Sequence, residues 1–230
     1  MEVIVPLAGP DFVSSAGVIK ALIPFLGQPL LRHVLTSRPW AAEVSNYTFI
    51  LKDGDVTRDF VEQHLRSWYP YCSVVFLSSV TRGAACSAMA GVACQRDPHA
   101  PLIVDLADIL YSSNLTNVEE RLRRSPRCGG LALAFISANP LYSYLRTDET
   151  GRVVEAAEKN VISTNASAGT YIFRNSSIYL GAVAHAFGNE ASQVYNGLFY
   201  VCPLFNGVLA QGKEVELERV HDVVDIKIGA

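Results

Sequence analysis

Short apolar runs of strand length alternate with segments whose apolar residues recur at helical spacing. This alternation constrains the fold more than any other feature of the chain. Residues 3–7, 47–51, 74–77 and 102–104 are β-branched or aromatic runs that predict strands. Between them, residues 30–35 follow Pro29, which suits a first helical position. Residues 57–68 carry apolar side chains at Phe60, Val61, Leu65 and Trp68, and residues 84–94 form an Ala-rich helix after Gly83. Strand–helix alternation of this kind predicts an α/β fold, with a mostly parallel central sheet covered by helices on both faces. Ligands of such sheets sit beyond the carboxyl ends of the strands. The loops 7–20, 78–83 and 105–110 are therefore the expected binding region.

The second half changes character. Residues 131–136, 142–147, 153–157 and 169–173 predict strands, with a turn signal at Asp148-Glu149-Thr150-Gly151. A helix is expected over 176–187 and strands over 215–219 and 223–228, which gives a small antiparallel extension. No repeat, linker or low-complexity segment interrupts residues 1–230, so one domain is expected, with halves 1–125 and 126–230.

Composition excludes several classes. Half of the 230 residues are hydrophobic and 18% are charged, against a usual ~25% charged, which is too apolar for a disordered chain. With 19 Lys and Arg against 22 Asp and Glu, there is no electrostatic basis for wrapping nucleic acid, although one small nucleotide remains a fitting partner. The N-terminus carries Glu2 and only a strand-length apolar run, so no signal peptide is expected. The uncharged stretches 128–145 and 191–212 contain Gly129, Gly130, Asn139 and Pro140, and Gln193, Asn196, Pro203, Asn206 and Gln211. They are expected to be buried strands and tight loops, with no membrane span. Five widely spaced cysteines without a CxxC pair or zinc spacing fit reduced thiols in a cytoplasmic protein. His33, His64, His99 and His185 have no metal-ligand spacing and are read as structural, while His221, Asp222 and Asp225 are candidates for the far wall of a site.

Each loop admits a chemical and a plain reading. The Gly/Ser loop from Leu7 to Lys20 can present backbone N–H groups to phosphate, with Lys20 as a point cation. It is neither a Walker A nor a GxGxxG loop, and an ordinary surface loop fits the same residues. Thr81-Arg82-Gly83-Ala84 opens a helix with small residues that let a flat ring approach, or that simply pack the helix closely. Asp105 and Asp108 end an apolar strand where a carboxylate can hold Mg²⁺ against a triphosphate, but three residues apart they need not face the same way. Glu158 can accept from sugar hydroxyls and Lys159 can meet a phosphate, although exposed Glu-Lys pairs are common.

Taken in order, these segments resemble the sugar-phosphate nucleotidyltransferase family. Val5-Pro6-Leu7-Ala8-Gly9 is similar to its opening strand and glycine loop. Lys20-Ala21-Leu22-Ile23-Pro24-Phe25-Leu26-Gly27-Gln28-Pro29-Leu30 is similar to its lysine segment. Thr81 to Cys86 resembles the nucleobase segment, and Pro101 through Asp108 the strand leading to a metal-binding aspartate. Glu158-Lys159, Ser163, Ala166 and Gly169-Thr170-Tyr171-Ile172-Phe173 resemble the acceptor block, and Asn196 to Pro203 a late segment of a capsule-biosynthesis subgroup. The resemblance implies a Rossmann-like, GT-A-like nucleotidyltransferase fold with a nucleotide-binding half (1–125) and an acceptor or sugar half (126–230).

The resemblance also implies a reaction. A nucleoside triphosphate joins a sugar phosphate or similar phosphorylated acceptor, pyrophosphate leaves, and the product feeds surface-polysaccharide synthesis. It implies Lys20 and Asp108 as catalytic residues and Mg²⁺ on Asp108 and Asp225. Ala8, Gly9, Thr81, Gly83, Ala84, Glu158, Lys159 and Gly169 would bind substrate. Self-association into a homo-oligomer is compatible with it. Two departures stand out: the first loop has no Arg or Lys between Gly9 and Lys20 and carries Asp11 instead, and the family's closing Asp or Gly-Thr-Pro segment, which supplies a second metal contact, is matched only loosely by Asp225. These keep two alternatives open, a degenerate nucleotide or sugar-nucleotide binding module, and a GT-A-type glycosyltransferase. The second normally needs a D-x-D motif, and Asp105-Leu106-Ala107-Asp108 is one residue longer.

Overall fold

The computed structural model describes residues 1–226. In the first half, β1 (Glu2–Pro6) leads through the loop 7–19 and a short 3₁₀ turn (Lys20–Leu22) to a two-residue hairpin, β2 (Pro24–Phe25) and β3 (Gln28–Pro29). Pro29 precedes α1 (Leu30–Thr36) with an extended ψ of 135°, so it lies just outside the helix rather than at its first position. Then come β4 (Asn46–Lys52), α2 (Asp55–Phe60), a π-helical turn (Val61–Leu65), α3 (Arg66–Trp68), β5 (Ser73–Leu77), α4 (Ala84–Val92) and β6 (Leu102–Asp105).

The chain continues with β7 (Ile109–Ser112), α5 (Val118–Arg124), β8 (Cys128–Ile136), β9 (Tyr144–Thr147), β10 (Arg152–Ala157) and β11 (Asn165–Phe173). Next are α6 (Ser176–Gly188), α7 (Glu190–Gln193), the hairpin β12 (Val194–Tyr195) and β13 (Leu198–Phe199), α8 (Leu204–Ala210), β14 (Glu214–Arg219) and β15 (His221–Asp225). The expected last strand reached residue 228; residues 227–230 lie outside the described residues.

Nine strands form one sheet in the order β5-β4-β1-β6-β11-β8-β14-β10-β9. The expectation of a mostly parallel sheet needs correction. Parallel pairing joins β5, β4, β1 and β6, and again β14 and β8. Strand β11 runs antiparallel to both β6 and β8, and β10 runs antiparallel to β14 and β9. Ala166 of β11 also pairs with Tyr144 of β9, so the second half curls back on itself. The antiparallel part is thus half of a mixed, partly closed sheet. The tight turn between β9 and β10 is too brief for the crossover a parallel pair needs, so these two run antiparallel.

The period-2 alternation of the strands divides the core between two faces. Val3, Val5, Phe49, Leu51, Ile103 and Leu131 pack on one face with α1, α2 and α5. Ile4, Ile50, Val104, Ala132, Tyr171 and Phe173 pack on the other with α4, α6 and α8. Helices on both faces agree with the sequence pattern. Residues 191–212, expected as strands and loops, also hold α8, whose Leu204, Phe205 and Val208 are buried. Among the described residues, no helix is long and apolar enough to cross a membrane.

Candidate active site

A cleft of about 390 Å³ lies at the carboxyl ends of β1 and β6. Its walls include Leu7, Ala8, Gly9, Asp11 and Phe12 from the first loop, Lys20, Thr81, Gly83 and Ala84 at the start of α4, and Leu106, Ala107 and Asp108 after β6. The loops 7–20, 78–83 and 105–110 thus meet in one place, as the sheet order dictates. Of the expected site residues, Ala8, Gly9, Lys20, Thr81, Gly83, Ala84 and Asp108 line this cleft. Glu158, Lys159, Gly169 and Asp225 do not line it.

The first loop is held by its own backbone. Phe12 is buried and meets Phe60 edge-on at 5.5 Å, Lys20 N–H donates to the Phe12 carbonyl at 3.0 Å, and Val13 bridges Ile19. This register sets Lys20 beside Asp11, with Nζ 3.6 Å from Oδ2. Lys20 and the acidic Asp11 and Asp108 are the charged residues of the lining.

The two aspartates after β6 have separate fates. Asp105 turns into the protein, accepting from Arg38 Nε at 2.6 Å and Nη2 at 2.9 Å and from the Ala107 N–H at 2.9 Å. Ala107 has φ +52°, a left-handed residue that redirects the chain. Asp108 follows it into the cleft wall. A Cβ on Gly169 would stand 2.7 Å from Asp108 Oδ1, so Gly169, in the irregular part of β11, is what lets that carboxylate lie against the sheet. Its place is behind Asp108.

Asp225 approaches from the far side. Strand β15 pairs with β7 so that Asp225 faces Ile109, and the Ile226 N–H donates to the Asp108 carbonyl at 3.2 Å. The Tyr142 hydroxyl donates to Asp225 Oδ2 at 2.7 Å. Burial, then this hydrogen bond and the charges of Asp225 and Asp108, push the Tyr142 hydroxyl up to about 12. Both carboxylates thus act on one phenol. Among the described residues, no group of three or more His, Cys, Asp or Glu is placed to hold a metal ion. Carboxylate oxygens are donors of the kind Mg²⁺ takes, one or two at a time with phosphate and water completing its shell, and Asp108 brings such a group into the cleft wall.

The residues expected to meet an acceptor, Glu158 and Lys159, lie apart from the cleft lining. Glu158 accepts from the Ser143 hydroxyl. Lys159 sits over the rings of Tyr195 and Tyr200 at 5.5 and 5.8 Å, and Tyr200 lines the cleft. Sequence reasoning gave no role to Arg82. It binds Glu190, donates to the Gly197 carbonyl at 3.3 Å and stacks over Phe199 at 5.0 Å, which straps the β12–β13 hairpin over the cleft mouth. Gly83 has φ +105°, and a Cβ there would stand 2.3 Å from the Phe199 carbonyl oxygen, so the hairpin rests directly on its backbone. The Asn196-Gly197 dipeptide was the available hairpin signal.

No family model matches the chain, and no curated protein matches it. Solved structures do resemble it. A nucleoside-diphosphate-sugar pyrophosphorylase from Vibrio cholerae RC9 superposes with a TM-score of 0.80 at 22% identity, over 98% of this chain and 95% of that one. A UDP-glucose pyrophosphorylase complexed with UDP-glucose gives 0.68 at 16% identity, over 95% and 89%. The inositol-1-phosphate CTP transferase from T. maritima gives 0.67 at 13%, over 98% and 88%. The chain therefore has the mixed α/β fold of these nucleotidyltransferases.

Proposed function

We propose that the protein is a Mg²⁺-dependent nucleotidyltransferase that joins a nucleoside triphosphate to a sugar phosphate or similar phosphorylated acceptor and releases pyrophosphate, in the cytoplasmic synthesis of surface-polysaccharide precursors. The observation that carries this reading is the convergence of Lys20, Asp108 and the start of α4 at Gly83 and Ala84 on one cleft. The fold shared with the pyrophosphorylases supports it. In the reaction, an acceptor phosphate oxygen forms a bond to the α-phosphorus while the bond to the β-phosphate oxygen breaks. Positioning and charge stabilisation supply most of the catalysis.

Thr81, Gly83 and Ala84 bind the base, whose plane lies against the small residues of the helix start. Ala8 and Gly9 offer backbone to the phosphates, and Lys20 balances their charge. Asp108 and Asp225 would hold Mg²⁺, which neutralises triphosphate charge when bound. Glu158 and Lys159 face the acceptor end, and Gly169 positions Asp108. A second reading, a module that binds a nucleotide or sugar nucleotide without transfer, is favoured by the Lys20–Asp11 pair, because the cation is already engaged.

Incubation with Mg²⁺, each of the four nucleoside triphosphates and a panel of sugar 1-phosphates separates the two. Pyrophosphate release that is lost in Asp108→Asn establishes transfer. Tight nucleotide binding with no release across the panel establishes the second reading.

A further inference from the structure

The ion pair in the first loop has features of a built contact. Asp11 and Lys20 are nine positions apart, yet the Lys20–Phe12 backbone bond and the Val13–Ile19 bridge hold them side by side. Gly9 makes room for the carboxylate, since a Cβ there would stand 2.7 Å from Asp11 Oδ1. The Asp11 side chain is 76% exposed and that of Lys20 23% exposed, so the carboxylate stands on the solvent side of the cation. A phosphate ligand coming from the open cleft meets Asp11 before it can engage Lys20. It must also remain beside the displaced carboxylate, and that repulsion grows with the charge the ligand carries.

We propose that Asp11 is a specificity-determining residue: by holding Lys20, it makes the cleft favour a polyphosphate whose charge is already offset by a divalent cation over the free polyanion. The inference rests on the reading of the cleft as a nucleoside-triphosphate site, but it concerns the phosphate end alone. Its test accordingly uses inorganic tripolyphosphate, which has no base, beside the nucleoside triphosphates.

Calorimetric titrations compare the wild type with Asp11→Asn, Asp11→Glu and the Lys20→Gln pair of variants, in chelator and in Mg²⁺. Asp11→Asn should bind metal-free tripolyphosphate about fivefold tighter, the scale of losing one exposed opposing charge. The gain should fall to about twofold or less with Mg²⁺, where the ligand carries less charge. Asp11→Glu should behave as the wild type. In the Lys20→Gln background, Asp11→Asn should give a smaller gain, the signature of coupled residues. Equal gains with and without Mg²⁺, no gain, or no tripolyphosphate binding by any variant would each overturn the proposal. The expected tripolyphosphate pattern without binding of any nucleoside triphosphate would sustain it and remove the nucleotide reading alone.

Discussion

Arg38 and Asp105 form a two-pronged ion pair inside the protein, with both side chains 1% exposed. A third guanidinium nitrogen donates to the Ile109 carbonyl at 3.1 Å, and the Tyr111 ring lies 4.2 Å away. Burial works against the charge of Arg38, but Asp105, followed by smaller contributions from Tyr111 and Asp108, raises the guanidinium above its ordinary value. The pair fixes the corner from which Asp108 enters the cleft. Arg38→Met strands a buried carboxylate and should cost about 3–5 kcal/mol of stability. Urea unfolding measures it, and a loss below about 1 kcal/mol would show that the corner holds without the pair.

Asp108→Asn removes the carboxylate assigned to Mg²⁺ and keeps its volume. Pyrophosphate release should fall about a hundredfold or more, in line with several kcal/mol of lost charge stabilisation. The unfolding midpoint should stay close to that of the wild type. An unchanged rate would remove Asp108 from the chemistry.

Gly83→Ala places a methyl against the Phe199 carbonyl oxygen and forces φ +105° on a residue with a Cβ. The backbone strain costs about 1–3 kcal/mol, and the clash is relieved only if the hairpin lifts. Limited proteolysis between 194 and 199 should accelerate, and nucleotide affinity should drop. Cleavage at the wild-type rate would separate the hairpin from Gly83.

The Tyr142 hydroxyl gives a pH signature. Its folded value of about 12 lies above the ordinary 10.0, so the folded state holds the proton more tightly. The stabilisation is fully present below pH 10 and is lost as pH rises towards 12. The tyrosinate absorbance titration of Tyr142→Phe should lack one high-pH component. Identical titrations of variant and wild type would show that Tyr142 does not bear the shift.

The four parallel strands of the first half were legible because each has its own apolar run, and Gly83 and Pro29 punctuate the helices between them, whereas the two-residue hairpin β2–β3 was not read. Strand β7 and helix α5 escaped notice. Ile109–Ser112 is only four residues long, and Val118–Arg124 is dominated by charge, with Val118 and Leu122 as its buried residues. Sheet direction in the second half was harder still, because it depends on which strands meet. Nothing local in Asn165–Phe173 says that it lies between β6 and β8.

The lining of the cleft was readable where it follows the strand ends, at Ala8, Gly9, Lys20, Thr81, Gly83, Ala84 and Asp108. The departure of the first loop was also visible, since Asp11 stands where a cation was expected. That Asp11 would face Lys20 was not visible, because it follows from the bridge between Val13 and Ile19. Arg82 escaped for a similar reason: its partners Glu190 and Gly197 lie more than a hundred residues away.

The position of β14 carries a consequence for the order of synthesis. Residues 214–219 are made after β8 and β10, yet their strand inserts between them. The four parallel strands have all emerged by residue 105 and can pair early. The curled half must wait with two open edges until its central strand arrives. A nascent chain halted near residue 200 should therefore hold the paired β5-β4-β1-β6 strands beside a curled half prone to pairing with other chains.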